Sequence, residues 1–297
     1  MKSRFIVLWG LCLALFCAEG LAAQVLAIPA DSLVSIALND GTRLKGRLIQ
    51  ETESHLVIET LSGLEVKVPK TSITALRPLR GRPSGAAFTR SDPNYSRLMF
   101  SPTGRPLHKG AGYIADYYVF FPGVAYGFTD HFSLAAGLSL IPGLGFGDQI
   151  LSLAPRLSVY ESDDLALSVG TLYMSVAGEG TGGMAFVVGT KGPPDRSFTF
   201  GVGLSYTADK GEKIEFAEHP VIVFGGNIRL SDSTALVSEN WLITGQGLGR
   251  SNQPLAIALR FFGENLAVDL GTIIIGEILK EGFPIPWLSF AYHFGKR

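Results

Sequence analysis

The sequence predicts an all-β protein: an antiparallel transmembrane β-barrel of about ten to twelve strands, twelve favoured, behind a small five-stranded barrel. Three observations predict it. The first is composition. Hydrophobic residues make up 46% of the 297 residues, charged residues only 17%, and mean hydropathy is +0.27. Globular chains carry about 25% charged residues. Yet past the N-terminus no run approaches the roughly 18 apolar residues of a membrane helix. A membrane barrel spreads its lipid face over alternate positions and so produces this combination. The second is strand periodicity with small residues on the second face. The third is an alternation of tight turns with longer loops.

In chain order, residues 1–23 read as a secretory signal peptide. Lys2 and Arg4 form its charged region, Phe5 to Phe16 its apolar core, and Ala18 to Ala23 a small-residue cleavage zone. Cys12 and Cys17 both lie there, preceded by Leu11 and Phe16 rather than the small residue of a lipoprotein signal. The exported chain would then hold no cysteine, so no disulfide and no thiolate metal site.

Residues 30–78 read as five short strands. Val34–Leu38 leads into the hairpin turn Asn39-Asp40-Gly41. Arg43–Gln50, His55–Thr60, Leu64–Pro69 and Ile73–Leu76 follow. The run Asp40-Gly41-Thr42, Leu44, Gly46, Leu48 resembles the first motif of SH3-like and Sm-like small barrels, in which the second glycine lets a strongly bent strand close the barrel. The likeness implies an interaction or spacer module in the periplasm. Sm proteins bind RNA, but a net charge of −1 offers no basic excess, which argues against a nucleic-acid partner.

Residues 79–111 are a linker by composition, with Arg80, Arg82, Arg90, Arg97 and Arg105 among Pro, Gly and Ser. Two readings stand. One is a solvated, extended connector, which is favoured. The other is a basic segment that docks at the periplasmic mouth of the barrel or enters it.

Residues 112–294 are the large barrel. Phe132, Leu134, Ala136 and Leu138 alternate with Ser133, Ala135, Gly137 and Ser139. Phe198, Phe200, Val202 and Leu204 alternate with Thr199, Gly201, Gly203 and Ser205. A soluble sandwich would face water with Lys, Glu and Thr, whereas a crowded lumen takes Gly, Ala and Ser. Tight turns fall at Asp130-His131, Ser162–Asp164, Pro193–Asp195, Asp232-Ser233 and Glu264-Asn265, with longer loops between them. The segment 112–129 counts as two strands if Pro122-Gly123 breaks it, which makes twelve. The last strand, Ile285–Phe294, sets Leu288, Phe290, Tyr292 and Phe294 against Trp287, Ser289, Ala291 and His293. It resembles the C-terminal sorting signal of Gram-negative outer-membrane barrels, although Gly295, Lys296 and Arg297 follow its final Phe. Tyr126-Gly-Phe-Thr-Asp130 and Ser238-Glu-Asn-Trp241 are similar to stretches of uncharacterised bacterial outer-membrane barrel proteins. These likenesses imply an outer-membrane location, outer-membrane lipid around the barrel, the barrel-assembly machinery as a partner of the last strand, and a periplasmic partner for the small module.

For chemistry the sequence offers little. Ser289 and His293 share a face but stand about 13 Å apart along a strand at roughly 3.3 Å per residue. No metal-ligand spacing or phosphate-binding motif is present, so no cofactor is implied. Asp116, Arg156, Arg229, Glu239, Arg260 and Asp269 read as lumen charges, either structural pairs or groups that tune a pore. The two-residue turn Glu264-Asn265 sets Arg260 opposite Asp269. The expected function is a non-enzymatic outer-membrane barrel, a small-solute pore or a structural envelope protein. The alternative is a lipid-modifying outer-membrane enzyme.

Overall fold

A computed structural model describes residues 31–295 apart from 80, 85–86, 177–179, 209–212, 247–252, 277 and 279–281. The expected signal peptide, residues 1–23, lies outside the described residues. The chain divides into two compact units, one up to Leu79 and one from Arg80 onward.

The first unit is a five-stranded antiparallel sheet: β1 (Leu33–Leu38), β2 (Arg43–Glu51), β3 (His55–Thr60), β4 (Glu65–Pro69) and β5 (Ile73–Pro78), in the order β4-β3-β2-β1-β5. Alternate residues of these strands meet in a core of Val34, Ile36, Leu48, Leu56, Ile58 and Val68. The first hairpin turns where expected. Gly41 takes a φ of 85°, and Thr42 N–H donates to Asp40 Oδ1 at 2.8 Å. These bonds hold the exposed Asp40 carboxyl below the usual carboxylate range. Gly46 permits a close approach, since a Cβ there would sit 2.3 Å from the Glu59 carbonyl oxygen. The register of β2 on β3 slips between Leu48 and Gln50, which bends the strand. The predicted closure of this small barrel is not made by hydrogen bonds. β4 is only five residues long, one 3-10 turn carries the chain to β5, and β5 pairs with β1 alone.

The second unit begins with a hairpin of β6 (Gly81–Ser84) and β7 (Ala87–Arg90). The barrel follows: β8 (Gly112–Tyr117), β9 (Phe121–Gly127), β10 (Phe132–Leu138), β11 (Ile150–Glu161), β12 (Leu165–Val176), β13 (Gly180–Lys191) and β14 (Arg196–Thr207). After the two-residue β15 (Glu215–Phe216) come β16 (Val221–Ser231), β17 (Thr234–Ile243), β18 (Leu255–Phe262), β19 (Leu266–Ile274) and β20 (Ile285–Phe294). Every consecutive barrel strand pairs antiparallel, and β20 pairs back onto β8, so twelve strands close the cylinder. Closure leaves no barrel edge unpaired, as a hydrocarbon surround demands.

Outward residues are large and apolar. Phe198, Phe200, Val202 and Leu204 of β14 are exposed while Thr199, Gly201 and Gly203 between them are buried. β18 and β20 repeat the alternation. Such a belt suits lipid rather than water. All five tight turns lie at one end and the longer loops at the other, with one exception. Tyr118–Phe120 is a short turn at the long-loop end, with positive φ at Tyr118 and Val119 (54° and 69°). The expected break at Pro122-Gly123 is therefore misplaced. Pro122 lies inside β9, one residue past the end of the β10 ladder at Gly123, where a residue without an N–H is tolerated. As a result β8, β9 and β10 have six, seven and seven residues against twelve in each of β11 to β14, and the wall is low on that side.

Candidate functional site

The segment between β7 and β8 occupies the lumen. Asp92, Asn94, Ser96, Arg97, Leu98, Met99, Ser101 and Thr103 are all buried. The favoured reading of a solvated connector is overturned in favour of the other, a segment that enters the barrel, and the cause is polar satisfaction. The segment folds on itself as a narrow hairpin: Thr103 N–H donates to Ser96 O at 3.0 Å, Leu98 N–H donates to Ser101 O at 2.9 Å, and Arg97 pairs with Pro102. A hairpin this thin leaves most of its backbone groups free to bond the wall, and the wall supplies partners from many strands.

Glu239 of β17 takes the tip. Its Oε2 accepts the N–H groups of Met99, Phe100 and Ser101 at 2.9, 2.9 and 3.0 Å. Its Oε1 accepts Ser101 Oγ–H at 2.8 Å and Trp241 Nε1–H at 2.9 Å. Three successive N–H groups aimed at one point form an anion nest, and Glu239 fills it. Arg260 of β18 grips the stem. Its Nε and Nη2 donate to the two oxygens of Asp269 at 2.7 and 3.0 Å, its Nη1 to Asp92 Oδ2 at 3.1 Å, and its Nη2 also to Leu98 O. The β18–β19 register sets Arg260 opposite Asp269, as the turn implies. Both are buried, at 1% and 0% exposure, so the pair survives only because every charge has its counter-charge.

Arg156 of β11 donates from Nη1 to Ser96 O and Thr103 O at 3.1 and 3.0 Å. On β12 and β13, Ser168 Oγ donates to Gly104 O and Thr190 Oγ1 accepts Gly104 N–H, both at 2.8 Å. A Cβ on Gly104 would lie 2.1 Å from Ala166 O, so only glycine fits this contact. Arg105 donates to Gly192 O, and His293 Nε2 lies 2.7 Å from Asn94 Oδ1. Ser289 Oγ donates to Asp269 Oδ2 at 3.3 Å, so Ser289 and His293 each bond elsewhere. With Arg97 Nη1 donating to the Tyr117 hydroxyl of β8, contacts from β8, β11, β12, β13, β17, β18 and β20 surround one short segment.

Of the six charges singled out in the sequence, Arg156, Glu239, Arg260 and Asp269 meet on this segment. Arg229 sits toward the tight-turn end, paired with Asp195 at 2.9 Å through Nε, bonded to Arg90 O and 5.1 Å over the Phe262 ring. Asp116 does not belong to the lumen set. Tyr113, Ala115 and Tyr117 of β8 face inward, and Asp116 shares the outward parity of the exposed Ile114, beside the 118–120 turn. Sequence reasoning missed Asp92, Asn94, Arg97 and Ser101. The one available signal was the density of Arg, Asn and Asp in a segment that also carries Leu98, Met99 and Phe100.

Beyond the segment, toward the long-loop end, the lumen opens into a cavity of about 490 Å³. Leu172, Met174, Met184, Phe186, Trp241 and Trp287 line it, with Ser96, Arg97, Phe100 and Arg156 below.

No protein-family model and no curated protein matches the chain. Among solved structures the chain is similar to the one described as KdgM porin in complex with disordered oligogalacturonate. That similarity has 9% sequence identity and a TM-score of 0.41, and covers 62% of this chain and 98% of the porin.

Proposed function

We propose that the protein is a non-enzymatic outer-membrane barrel that passes a small solute, with residues 92–108 as a plug that must shift for the lumen to open. The observation that carries this reading is the ring of wall contacts on one buried hairpin, headed by Glu239 and Arg260. A plug built only to fill space would be held by apolar packing. This one packs Leu98 and Met99 against Val237, Ala256, Ala258 and Trp287, but it is also held by many hydrogen bonds, which water can replace one by one if the hairpin slides. The barrel would sit in the outer membrane of a Gram-negative bacterium, its tight turns toward the periplasm. Insertion would proceed through the barrel-assembly machinery acting on β20. The N-terminal sheet would be an SH3/Sm-like module in the periplasm that binds a protein partner or sets a spacing.

Planar-bilayer conductance tests the reading. The wild-type protein is expected to conduct little, and a variant lacking residues 92–108 to give steady single-channel steps. Equal conductance of the two would refute the plug as a gate.

A further inference from the structure

The cavity above the plug has an unusual charge arrangement. Arg97 and Arg156 form part of its floor and are 2% and 8% exposed. Among the described residues neither belongs to an ion pair, whereas Arg260 beneath them has two carboxylates. The partners of Arg97 are neutral: Asn94 Oδ1 at 3.1 Å, Met99 O at 3.2 Å and the Tyr117 hydroxyl. Its Nη2 is fully buried and has no hydrogen-bond partner among the described residues. The Tyr113 and Tyr117 rings stand 5.5 and 5.1 Å from the guanidinium carbon and offset part of the cost of burying it. A second donor is also left over. Trp287 is 7% exposed, its Nε1–H is unpartnered, and its ring lies 5.7 Å from that of Tyr117. Arg97 and Trp287 therefore pack on the same tyrosine with these two donors closed off from the cavity, whereas Arg156, the more exposed of the two arginines, bonds the plug through Nη1 alone and lines the cavity floor.

The walls differ from a wet pore. A solute channel lines its inward positions with polar groups. Here inward positions of β12 and β13 carry Leu172, Met174, Met184 and Phe186, and Trp241 and Trp287 close the other side. An apolar cup of about 490 Å³ falls within the roughly 300–1,000 Å³ of small-molecule sites, and a few convergent donors at its base fix orientation.

We infer that this cavity binds an amphiphilic carboxylate, head down: the carboxylate takes the Arg156 guanidinium in the floor, and the hydrocarbon tail lies among Leu172, Met174, Met184 and Phe186. A buried guanidinium wants an anion. An inorganic anion would satisfy the floor and leave the cup empty. A neutral hydrocarbon would fill the cup and leave the donors unmet. The inference rests on the solute-passing reading by naming the solute class, but binding is measured without transport, so either can fail alone.

Trp241 and Trp287 line the cavity, and the remaining tryptophan, Trp9, lies outside the described residues. Quenching of their fluorescence by 12-bromododecanoate therefore reports occupancy in the full chain held in lipid nanodiscs. Saturable quenching is expected, displaced by dodecanoate, with 1-dodecanol and acetate each at least about tenfold weaker. Arg156→Gln is expected to weaken dodecanoate about tenfold or more and leave 1-dodecanol within about twofold. Ala154→Phe, which fills the cup from an inward position, is expected to abolish both. Heat-modifiable gel mobility shows that each variant has folded, and Arg97→Gln takes the place of Arg156→Gln if that variant has not. Quenching that never saturates, as for partition into the bilayer, would overturn the inference. So would equal affinity for the acid and the alcohol, acetate binding as tightly as dodecanoate, or occupancy by phospholipid that dodecanoate does not displace.

Discussion

Glu239→Ala should release the plug. The carboxylate satisfies three consecutive backbone N–H groups, the Ser101 hydroxyl and the Trp241 indole. Of the three amides, those of Met99 and Ser101 belong to fully buried residues at 2% and 6% exposure, while Phe100 is half exposed to the cavity. Each buried donor left without an acceptor costs about 1–3 kcal/mol. Water from the cavity can reach the Phe100 side, so the five bonds do not add in full. A loss of about 3–5 kcal/mol in seating the tip is expected, mostly from the two buried amides. Each 1.4 kcal/mol is a factor of ten, so the unseated population should rise by about two to three and a half orders of magnitude. Glu239→Gln keeps one oxygen for the amides and turns an NH2 toward Trp241 Nε1–H, so it should cost less, about 1–2 kcal/mol. The assay is tryptic cleavage after Arg97 in the folded barrel, with single-channel conductance beside it. Cleavage and openings should increase in the order wild type, Gln, Ala. Wild-type protection and conductance in Glu239→Ala would refute the reasoning.

Arg260→Ala should destabilise the folded barrel in detergent by about 3–5 kcal/mol, because Asp92 and Asp269 remain buried without their counter-charge. In a double-mutant cycle with Asp269→Ala the losses should be far from additive, and strictly additive unfolding energies would contradict the pair. Gly104→Ala should lower the unfolding temperature and expose Arg97 to trypsin, since its Cβ would meet the rigid backbone oxygen of Ala166 at 2.1 Å; unchanged values would show that the segment is not seated there. Gly46→Ala should unfold the N-terminal sheet and spare the barrel, because its Cβ would meet Glu59 O at 2.3 Å in the first unit alone. Circular dichroism read together with heat-modifiable mobility separates the two units.

The barrel wall was legible because its information is local. A side-chain period of two marks inward and outward faces, and a two-residue turn sets register, so Arg260 and Asp269 could be placed opposite each other from their spacing around Glu264-Asn265. The same logic misplaced Asp116, because its phase depends on where the turn falls. Pro122-Gly123 looks like the turn but is accommodated inside β9, and Tyr118–Phe120 makes it instead. Entry of the segment into the barrel was one of two open readings, but how the plug is seated was illegible for a different reason. Asp92 finds Arg260 168 positions away, and Asn94 finds His293 199 positions away. No periodicity encodes such contacts, and the Arg, Pro and Gly content of residues 79–111 is also that of a solvated linker. The cup was hidden because Leu172, Met174, Met184 and Phe186 are apolar at inward positions, where alternation alone assigns apolar residues to lipid.

Amide hydrogen exchange of residues 94–106 in the intact protein tests the central claim most directly. Met99, Ser101, Thr103 and Gly104 donate their N–H groups to buried acceptors within the lumen. A seated plug should exchange at least about a thousandfold more slowly than an unstructured peptide, equivalent to roughly 4 kcal/mol of opening free energy, and Glu239→Ala should remove most of that protection. Exchange of these amides at the rate of a free linker would contradict the account.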